Sequence, residues 1–389
     1  MEKRQYFAHF DPKRVQSPCF VIDRAAVEDN LKTLHRVGIE SGAKVLAALK
    51  AFSCWSLADL YKTYLWGTCA SGVHEARLGR EYYGGEVHTY SAAFKEEDLV
   101  EVLTLSDHVV FNSFTQWQRF KPLCMAAKAK RPELQFGLRI NPEHSEGDVP
   151  LYDPCAPKSR MGVPVSEFKP ELLDGISGLH FHTLCEQDVP PLARTLQAVE
   201  EKFGEYLHTM QWVNFGGGHH ITREDYQVDQ LIELIKNFSH KYQLQVYIEP
   251  GEAVAIRSGI LVSEVLDTLY NGMPQAILDT SATCHMPDTL EMPYRADILG
   301  AGQPDELAHT YRLGGMTCLA GDVIGDYSFA APLEVGQRLV FDDMAHYTMV
   351  KTTTFNGIGL PAIALWDSRT DELVLQKAFG YHDFVSRLS

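Results

Sequence analysis

Eight short apolar segments alternate with helical patterns between residues 45 and 249, and this alternation limits the possible folds more than any other feature. Eight strands that alternate with helices over about 250 residues are typical of a (β/α)8 barrel, in which the active site lies at the carboxyl ends of the strands. A doubly wound parallel sheet is the alternative architecture. We expect strands at Val45–Lys50, Gly67–Ala70, Glu86–Tyr90, His108–Phe111, Gln135–Ile140, Gly178–His182, Trp212–Phe215 and Gln245–Glu249.

The pattern changes after about residue 256. The remaining chain contains strand-like runs separated by Gly, Pro and Asp turns, among them GILVSEVLDTLY, PQAILDTSA, QRLVFDD and HYTMVKT. A chain of 389 residues is long enough for two hydrophobic cores. We therefore predict an α/β fold with a (β/α)8 TIM-like barrel over residues 18–256. A C-terminal all-β domain would comprise residues 257–389 together with residues 1–17.

Charge and hydropathy exclude several classes of function. The chain has 51 acidic and 35 basic residues and a net charge of -16, which argues against a nucleic-acid partner and is compatible with a cationic substrate. No segment is apolar over the length needed to cross a bilayer, and the first residues lack the apolar core of a signal peptide. We expect a cytoplasmic protein without a membrane partner. The eight cysteines form no C-x-x-C pair, and we predict no metal site.

Several residues that can carry chemistry fall at or just past the predicted strand ends. Lys50 closes the first barrel strand, where burial would disfavour its charge and a Schiff base would remove it. His182 shares a strand face with His180 and could stack on a flat ring. The glycine turn, Gly216–Gly218 in NFGGGHH, would let backbone N–H groups converge on a phosphate. The structural alternatives are a lysine that reaches solvent, a hydrogen-bonded core histidine and ordinary turn glycines.

Two further residues extend this set. Glu249, in IEPGEA, could accept an N–H from a pyridinium ring and keep that ring protonated, or it could cap the following turn. Cys318 lies in GGMTCLAGD, a glycine-flanked loop of the second domain, where a thiol can serve as a proton donor. That loop could reach a site in the barrel only across a domain or subunit interface.

Together these motifs resemble the fold-type III pyridoxal-phosphate (PLP) enzymes, the group that includes alanine racemase and the decarboxylases of ornithine, diaminopimelate and arginine. The resemblance is most specific to the carboxynorspermidine/carboxyspermidine decarboxylase family. DTSATCHMPDTLEMPYR, EPGEAVA, GGMTCLAGD and HYTMVKTTTFNG occur here in that family's order. The resemblance implies PLP-dependent decarboxylation of carboxynorspermidine and carboxyspermidine to norspermidine and spermidine, in polyamine biosynthesis.

The resemblance also implies a role for each motif. Lys50 would bind PLP covalently, His182 would stack on its ring, and Glu249 would hold the pyridinium nitrogen. The glycine turn and Tyr347 would bind the phosphate. Cys318 would donate a proton from the partner subunit of a homodimer with shared active sites.

One departure from the wider group bears on the substrate. Ornithine and diaminopimelate decarboxylases have an arginine after Glu-Pro-Gly, whereas this chain has Glu252, so a phosphate contact is lost and the pocket becomes more acidic. Glu252 and Asp288 could pair with the ammonium groups of an extended, carboxylated polyamine. Arg295 is the candidate for the substrate carboxylate, and Asp322 is a further candidate substrate-binding residue. The alternatives are an ornithine- or diaminopimelate-type decarboxylase, or a non-catalytic PLP-binding protein.

Overall fold

The computed structural model describes residues 7–147 and 149–389. The described residues divide into two compact units, one formed by residues 29–254 and the other by residues 7–28 together with residues 255–389. Residues 18–28, which the sequence assigned to the barrel, therefore belong to the second unit. Residues 1–6 of the predicted β-domain lie outside the described residues.

Strand β1 (Cys19–Asp23) and helix α1 (Arg24–Ser41) come first along the chain. All five residues of β1 are buried, as in a strand covered on both faces. The side chain of Asp23 accepts a hydrogen bond from the Ala25 amide at 3.0 Å, which satisfies one of the free N–H groups at the start of α1.

The first unit is a closed barrel of eight parallel strands, which confirms the predicted fold class. All eight predicted strands are present, and five end one or two residues earlier than expected because the chain leaves the ladder before the residues that carry chemistry. The strands are β2 (Lys44–Ala48), β3 (Gly67–Ala70), β4 (Glu86–Tyr90), β5 (His108–Phe111), β6 (Gln135–Arg139), β7 (Gly178–His180), β8 (Trp212–Asn214) and β9 (Gln245–Ile248).

Helices follow the barrel strands and pack apolar faces onto them. In two of these helices, buried residues recur every three or four positions, the spacing of one helix face. The helices are α2 (Ala58–Tyr64), α3 (Val73–Leu78), α4 (Glu96–Leu105), α5 (Phe114–Lys130), α6 (Val189–Leu207), α7 (Val228–Tyr242) and α8 (Glu252–Ala255). None of the helices that the described residues form is long and apolar enough to cross a membrane.

The second unit is built on a sheet with the strand order β13-β12-β11-β10-β1-β15-β16, and β14 also pairs with β10. Strand β1 runs antiparallel to β10 and parallel to β15, which is why residues 18–28 fold with this unit. HYTMVKT, expected to be strand-like, forms a 3-10 turn at Met349–Lys351 instead. The elements are β10 (Gly259–Tyr270), β11 (Pro274–Leu278), α9 (Ala282–His285), α10 (Asp288–Glu291), β12 (His309–Gly314), β13 (Val323–Phe329), β14 (Arg338–Phe341), β15 (Ala362–Asp367), β16 (Glu372–Lys377) and α11 (Tyr381–Val385).

A polar cluster fills the barrel near the amino ends of its strands. His88 and His108 stack with ring centroids 3.9 Å apart, and the Nδ1 atoms of both rings have no hydrogen-bond partner among the described residues. Glu86 contacts Lys44 and lies 3.0 Å from His88 Nε2, and Tyr247 donates to it at 3.1 Å. Burial, and then the nearby positive charges, hold the pKa of His108 far below its ordinary value. The folded barrel therefore keeps this histidine neutral.

We expect this cluster to make the folded state sensitive to acid. The unfolded chain takes up a proton at His108 below a pH of about 6.5 and the folded chain does not, so this contribution to stability falls as the pH falls through that value. Going from a pH of about 7.5 to about 5.5 should cost roughly 1.4 kcal/mol for one such group. His108→Phe should remove this part of the pH dependence in urea unfolding. Substitution of the exposed His240 by Gln is the control, and an unchanged pH dependence in His108→Phe would contradict the assignment.

Candidate active site

Lys50 lies two residues beyond the end of β2, in a turn, and its side chain is exposed. The burial predicted for Lys50 is therefore wrong, because the strand ends at Ala48 and the chain then leaves the ladder. Burial lowers the pKa of His180 and His182, and the nearby Lys50 ammonium charge lowers it further. Burial raises the pKa of Cys69 and Glu75, and the same ammonium charge partly opposes that rise. Lys50 therefore places an accessible primary amine at the mouth of the barrel.

Glu249 follows β9, and its side chain is only 14% exposed. Asn214 Nδ2 donates to Glu249 Oε1 at 2.7 Å, and His180 Nε2 lies 3.5 Å from Oε2. Burial by itself would raise the pKa of Glu249, but the His180 and Asn214 contacts outweigh it and lower the pKa to about 2. An ionised carboxylate inside the barrel can hold a cationic N–H group.

His182 is held as a neutral ring. Its Nδ1 accepts a hydrogen bond from the Gly217 amide at 2.8 Å, and Arg139 Nη2 donates to its carbonyl oxygen at 3.2 Å. Burial, the Lys50 ammonium and the Arg139 guanidinium hold the pKa of His182 well below its ordinary value. These contacts fix both the backbone and the ring, as a residue that packs against a flat ligand requires.

The glycine turn is less open than the sequence suggested. Gly216 and Gly218 have φ values of 70° and 84°, which favour glycine, and a Cβ on Gly218 would lie 2.0 Å from the Leu184 carbonyl oxygen. The Gly216 amide already donates to Asn214 Oδ1, and the Gly217 amide donates to His182. The Gly218 amide has no acceptor among the described residues. One amide of the turn is therefore ready for an anion, not all three.

Glu252 begins α8 and has a histidine neighbour that the sequence did not indicate. His220 Nε2 lies 3.2 Å from Glu252 Oε2, and Arg223 Nη1 lies 3.2 Å from His220 Nδ1. An arginine can only donate, so a neutral His220 carries its proton on Nε2 and faces Glu252 with it. Possible ligand atoms of Glu186, His220 and Glu252 lie within 4.8 Å of one another. In this tautomer, His220 Nε2 carries a proton and has no lone pair to offer a metal ion between it and Glu252.

In the second unit, three of the strings that carry the family resemblance form one connected cluster of loops. The Thr283 amide donates to Asp322 Oδ1 at 3.2 Å, and the Thr353 amide donates to the Cys284 carbonyl at 2.8 Å. These bonds join DTSATCHMPDTLEMPYR to both GGMTCLAGD and HYTMVKTTTFNG. Residues far apart in sequence are thus fixed next to one another.

Asp288 is the most constrained acidic side chain of this cluster. It is 7% exposed, and its Oδ2 accepts hydrogen bonds from the Tyr294 hydroxyl at 2.7 Å and from Thr348 Oγ1 at 2.8 Å. Its Oδ1 is buried and has no partner among the described residues. Tyr347, the residue before Thr348, has a φ of 53°, a conformation that is uncommon for a large side chain.

The remaining predicted residues of this unit differ in accessibility. Cys318 is exposed, and its amide donates to Asn356 Oδ1 at 2.8 Å. Asp322 is 5% exposed and accepts from Thr317 Oγ1 at 2.6 Å, so it holds the Cys318 loop in shape. The Arg295 guanidinium lies 4.4 Å from the centre of the Tyr327 ring.

Comparisons with known proteins agree with this geometry. Residues 19–345 match a family described as "Pyridoxal-dependent decarboxylase, C-terminal sheet domain". A carboxynorspermidine/carboxyspermidine decarboxylase from Campylobacter jejuni is 44% identical over 386 residues, which cover 96% of this chain and 99% of the relative. A protein of the same name from Herminiimonas arsenicoxydans is 38% identical over 376 residues, covering 96% of this chain and 100% of the relative. The chain belongs to the carboxynorspermidine/carboxyspermidine decarboxylase family.

A second group of similarities bears on specificity and fold. A carboxyaminopropylagmatine decarboxylase from Synechocystis is 43% identical over 374 residues, covering 96% of this chain and 95% of the relative. The crystal structure of carboxynorspermidine decarboxylase from Campylobacter jejuni, complexed with norspermidine, has a TM-score of 0.88 and 43% identity and covers 96% of this chain and 100% of that one. The predicted family, the decarboxylase activity and the PLP cofactor are confirmed.

The barrel residues of this decarboxylase fit PLP. An aldehyde needs an accessible amine, a pyridinium N–H needs an anion, and a phosphate needs free N–H donors. Lys50 is exposed, Glu249 is ionised, and the Gly218 amide has no acceptor in the part of the chain that the structure describes. The three requirements are met by residues at the same end of the barrel.

Three residues of this site were missed by sequence reasoning. Asn214 and Arg139 are 1% and 4% exposed, and both bond to predicted site residues. His220 contacts Glu252. Asn214 and Arg139 end barrel strands, and His220 follows the glycine turn. Their location at or after the carboxyl ends of the strands was the sequence signal that could have revealed them.

Lys50→Ala should abolish the visible absorbance of the PLP-loaded decarboxylase and lower turnover by on the order of a thousandfold or more, because no other amine would replace the covalent bond. The exposed side chain makes little contribution to the core, so the unfolding midpoint should stay close to that of the wild type. Lys62→Ala, at an exposed lysine of α2, is the control. A Lys50→Ala protein that stays yellow and active would refute the assignment.

Proposed function

We propose that this decarboxylase converts carboxynorspermidine and carboxyspermidine to norspermidine and spermidine in polyamine biosynthesis. The observation that carries the proposal is the barrel mouth, where the Lys50 amine, the neutral His182 and the ionised Glu249 lie together. The relatives from Campylobacter jejuni and Herminiimonas arsenicoxydans that carry this name, and the Campylobacter structure with norspermidine, support the choice of substrate.

Each of these residues, in the barrel or in the second unit, has one task in this proposal. Lys50 holds PLP through its amine, His182 packs against the ring, and Glu249 keeps a proton on the ring nitrogen. The Gly218 amide and the Tyr347 hydroxyl bind the phosphate. When bound, PLP supplies an electron sink for the pair of electrons that carbon dioxide leaves behind. The Cys318 thiol then delivers the proton that replaces the carboxyl group on the substrate carbon.

Cys318 has surroundings suited to an interface. Three large apolar side chains next to it in the second unit are exposed by 44–48%: Met316, Leu319 and Phe355. Grouped apolar side chains on a surface are typical of a contact with another protein. We propose a homodimer in which this face packs on the partner subunit and brings Cys318 to the partner's site.

The substrate's charged tail is assigned to Asp288 and Glu252. A buried carboxylate oxygen without a partner is costly, and the unpartnered Oδ1 of Asp288 supports its use for a ligand ammonium group. Glu252 presents a second carboxylate at the barrel mouth, with His220 beside it. Arg295 remains our candidate for the substrate carboxylate. Asp322 is assigned to loop structure, because both of its oxygens accept bonds from neighbouring residues.

A second candidate substrate is carboxyaminopropylagmatine. The Synechocystis relative with that name is as similar in identity and length as the carboxynorspermidine decarboxylases. An agmatine end carries a planar guanidinium in place of an ammonium group, and a carboxylate binds either one. The choice between the two depends on the length and shape of the pocket, which direct competition between substrates measures.

Release of carbon dioxide from each carboxylated polyamine tests the proposed function. We expect carboxynorspermidine and carboxyspermidine to be used, and ornithine, lysine and diaminopimelate to be inert.

Asp288→Asn should raise KM by a factor corresponding to roughly 1.5–3 kcal/mol, about 10- to 150-fold, and leave the PLP spectrum unchanged. Asp267→Asn, at an exposed position of β10, is the control. Faster release from carboxyaminopropylagmatine would favour the second candidate. Equal use of diaminopimelate would contradict both.

Cys318→Ala should slow amine formation more than carbon dioxide release, because decarboxylation precedes the missing proton transfer. Equal mixing of Lys50→Ala and Cys318→Ala chains should restore roughly a quarter of the activity, since half of the dimers would contain one complete site out of two. Cys155→Ala, in the barrel, is the control. Equal amounts of amine and carbon dioxide from Cys318→Ala would refute the role, and no recovery on mixing would place both residues in one subunit's site.

A further inference from the structure

We propose that Asn214 is a positioning residue that ties the two ends of the cofactor site together. It joins Glu249, which holds the ring nitrogen, to the glycine turn, which holds the phosphate. The inference deepens the proposed function and depends on it only for those two roles.

The contacts of Asn214 form a closed ring of three hydrogen bonds. Asn214 Nδ2 donates to Glu249 Oε1 at 2.7 Å, and the Gly216 amide donates to Asn214 Oδ1 at 2.8 Å. The Glu249 amide donates to the Gly216 carbonyl at 2.8 Å and completes the ring. Glu249 is therefore linked to Gly216 twice, once through the backbone and once through Asn214.

The chemistry of the partners fixes the orientation of the amide group. A carboxylate can only accept and a backbone N–H can only donate, so the NH2 of Asn214 faces Glu249 and its oxygen faces Gly216. Asn214 is the last residue of β8 and is 1% exposed, so water does not compete for either bond. A buried side chain with both partners satisfied holds its neighbours in one arrangement.

No other side chain of this size serves both partners. Aspartate keeps the acceptor for Gly216 but has no donor, and it would place a second negative charge against Glu249. Leucine fills nearly the same space, but it can neither donate a hydrogen bond to Glu249 nor accept one from the Gly216 amide. The turn itself leaves no room for a side chain at Gly216, because a Cβ added there would lie 2.5 Å from the Phe181 carbonyl oxygen.

The proposal is tested by the dissociation constants of PLP and of pyridoxal, which lacks the phosphate, measured without substrate. In Asn214→Leu, PLP affinity should fall about tenfold or more, as expected for a lost hydrogen bond to a charged group. The preference for PLP over pyridoxal should also fall, because the phosphate turn is loosened. In Asn214→Asp that preference should be retained, since the Gly216 bond survives. The pH dependence of the bound-cofactor absorbance should then move to higher pH, since a second carboxylate raises the pKa of Glu249.

Asn141→Leu is the matched control, because Asn141 is a buried asparagine just past the end of β6, is 7% exposed, and accepts a hydrogen bond from the Glu143 amide at 2.8 Å. Wild-type affinity or an unchanged phosphate preference in Asn214→Leu would overturn the proposal, as would an equal loss in the control. If Asn214→Leu does not fold, Asn214→Asp decides alone, and an unshifted pH dependence overturns the proposal. A wild type that binds PLP and decarboxylates no polyamine precursor would refute the proposed function and leave these affinities interpretable.

Discussion

The pairing of β2 with β9 closes the barrel, and the site depends on that closure. Val45 lies opposite Ile248 in a parallel ladder, and the Ala48 amide donates to the Pro250 carbonyl at 3.0 Å just past the strand ends. Lys50 follows one of these strands and Glu249 follows the other. Two residues separated by about 200 positions in the sequence are thereby held at neighbouring positions on one rim. The amine and the carboxylate that the cofactor needs owe their proximity to backbone hydrogen bonds, not to an attraction between the two side chains.

Burial then sets the charges around these two groups. Desolvation disfavours the charged form of His180 and His182 and lowers the pKa of both, so the imidazoles stay neutral at physiological pH. Glu249 is the opposite case, because the nearby His180 ring and the hydrogen bond from Asn214 outweigh desolvation and lower its pKa. Among the described residues near the rim, the ionised Glu249 thus lies beside two neutral imidazole rings. A neutral ring can pack against an aromatic ligand without repelling a cationic nitrogen that Glu249 would hold.

Sequence reasoning recovered what short-range patterns encode. The eight strands follow from apolar segments of four to six residues, and the rim residues follow from their positions after those segments. Lys50 was misjudged because burial at the end of a strand depends on where the chain turns, and the ladder ends at Ala48. The sheet to which β1 belongs could not be predicted from local patterns, because β1 pairs with β15 near the other end of the chain, with Phe20 opposite Ile363. Asn214 was missed for a similar reason, because an asparagine acquires its role only when Glu249 is folded against it.

The acidic side chain of Asp288 is explained better by a ligand than by folding. If Asp288 had only a structural role, an asparagine would stabilise the fold better, because its amide forms hydrogen bonds with neighbours without burying a charge. Asp288 instead keeps one oxygen bonded to two hydroxyl groups and the other without a partner among the described residues. The two hydroxyl bonds orient the carboxylate before any ligand arrives, so little freedom is lost on binding. A cationic group that reaches this oxygen would therefore gain a charge-assisted hydrogen bond and relieve an existing cost at the same time. The negative net charge of the chain acts in the same direction at longer range, by attracting cationic molecules toward the protein.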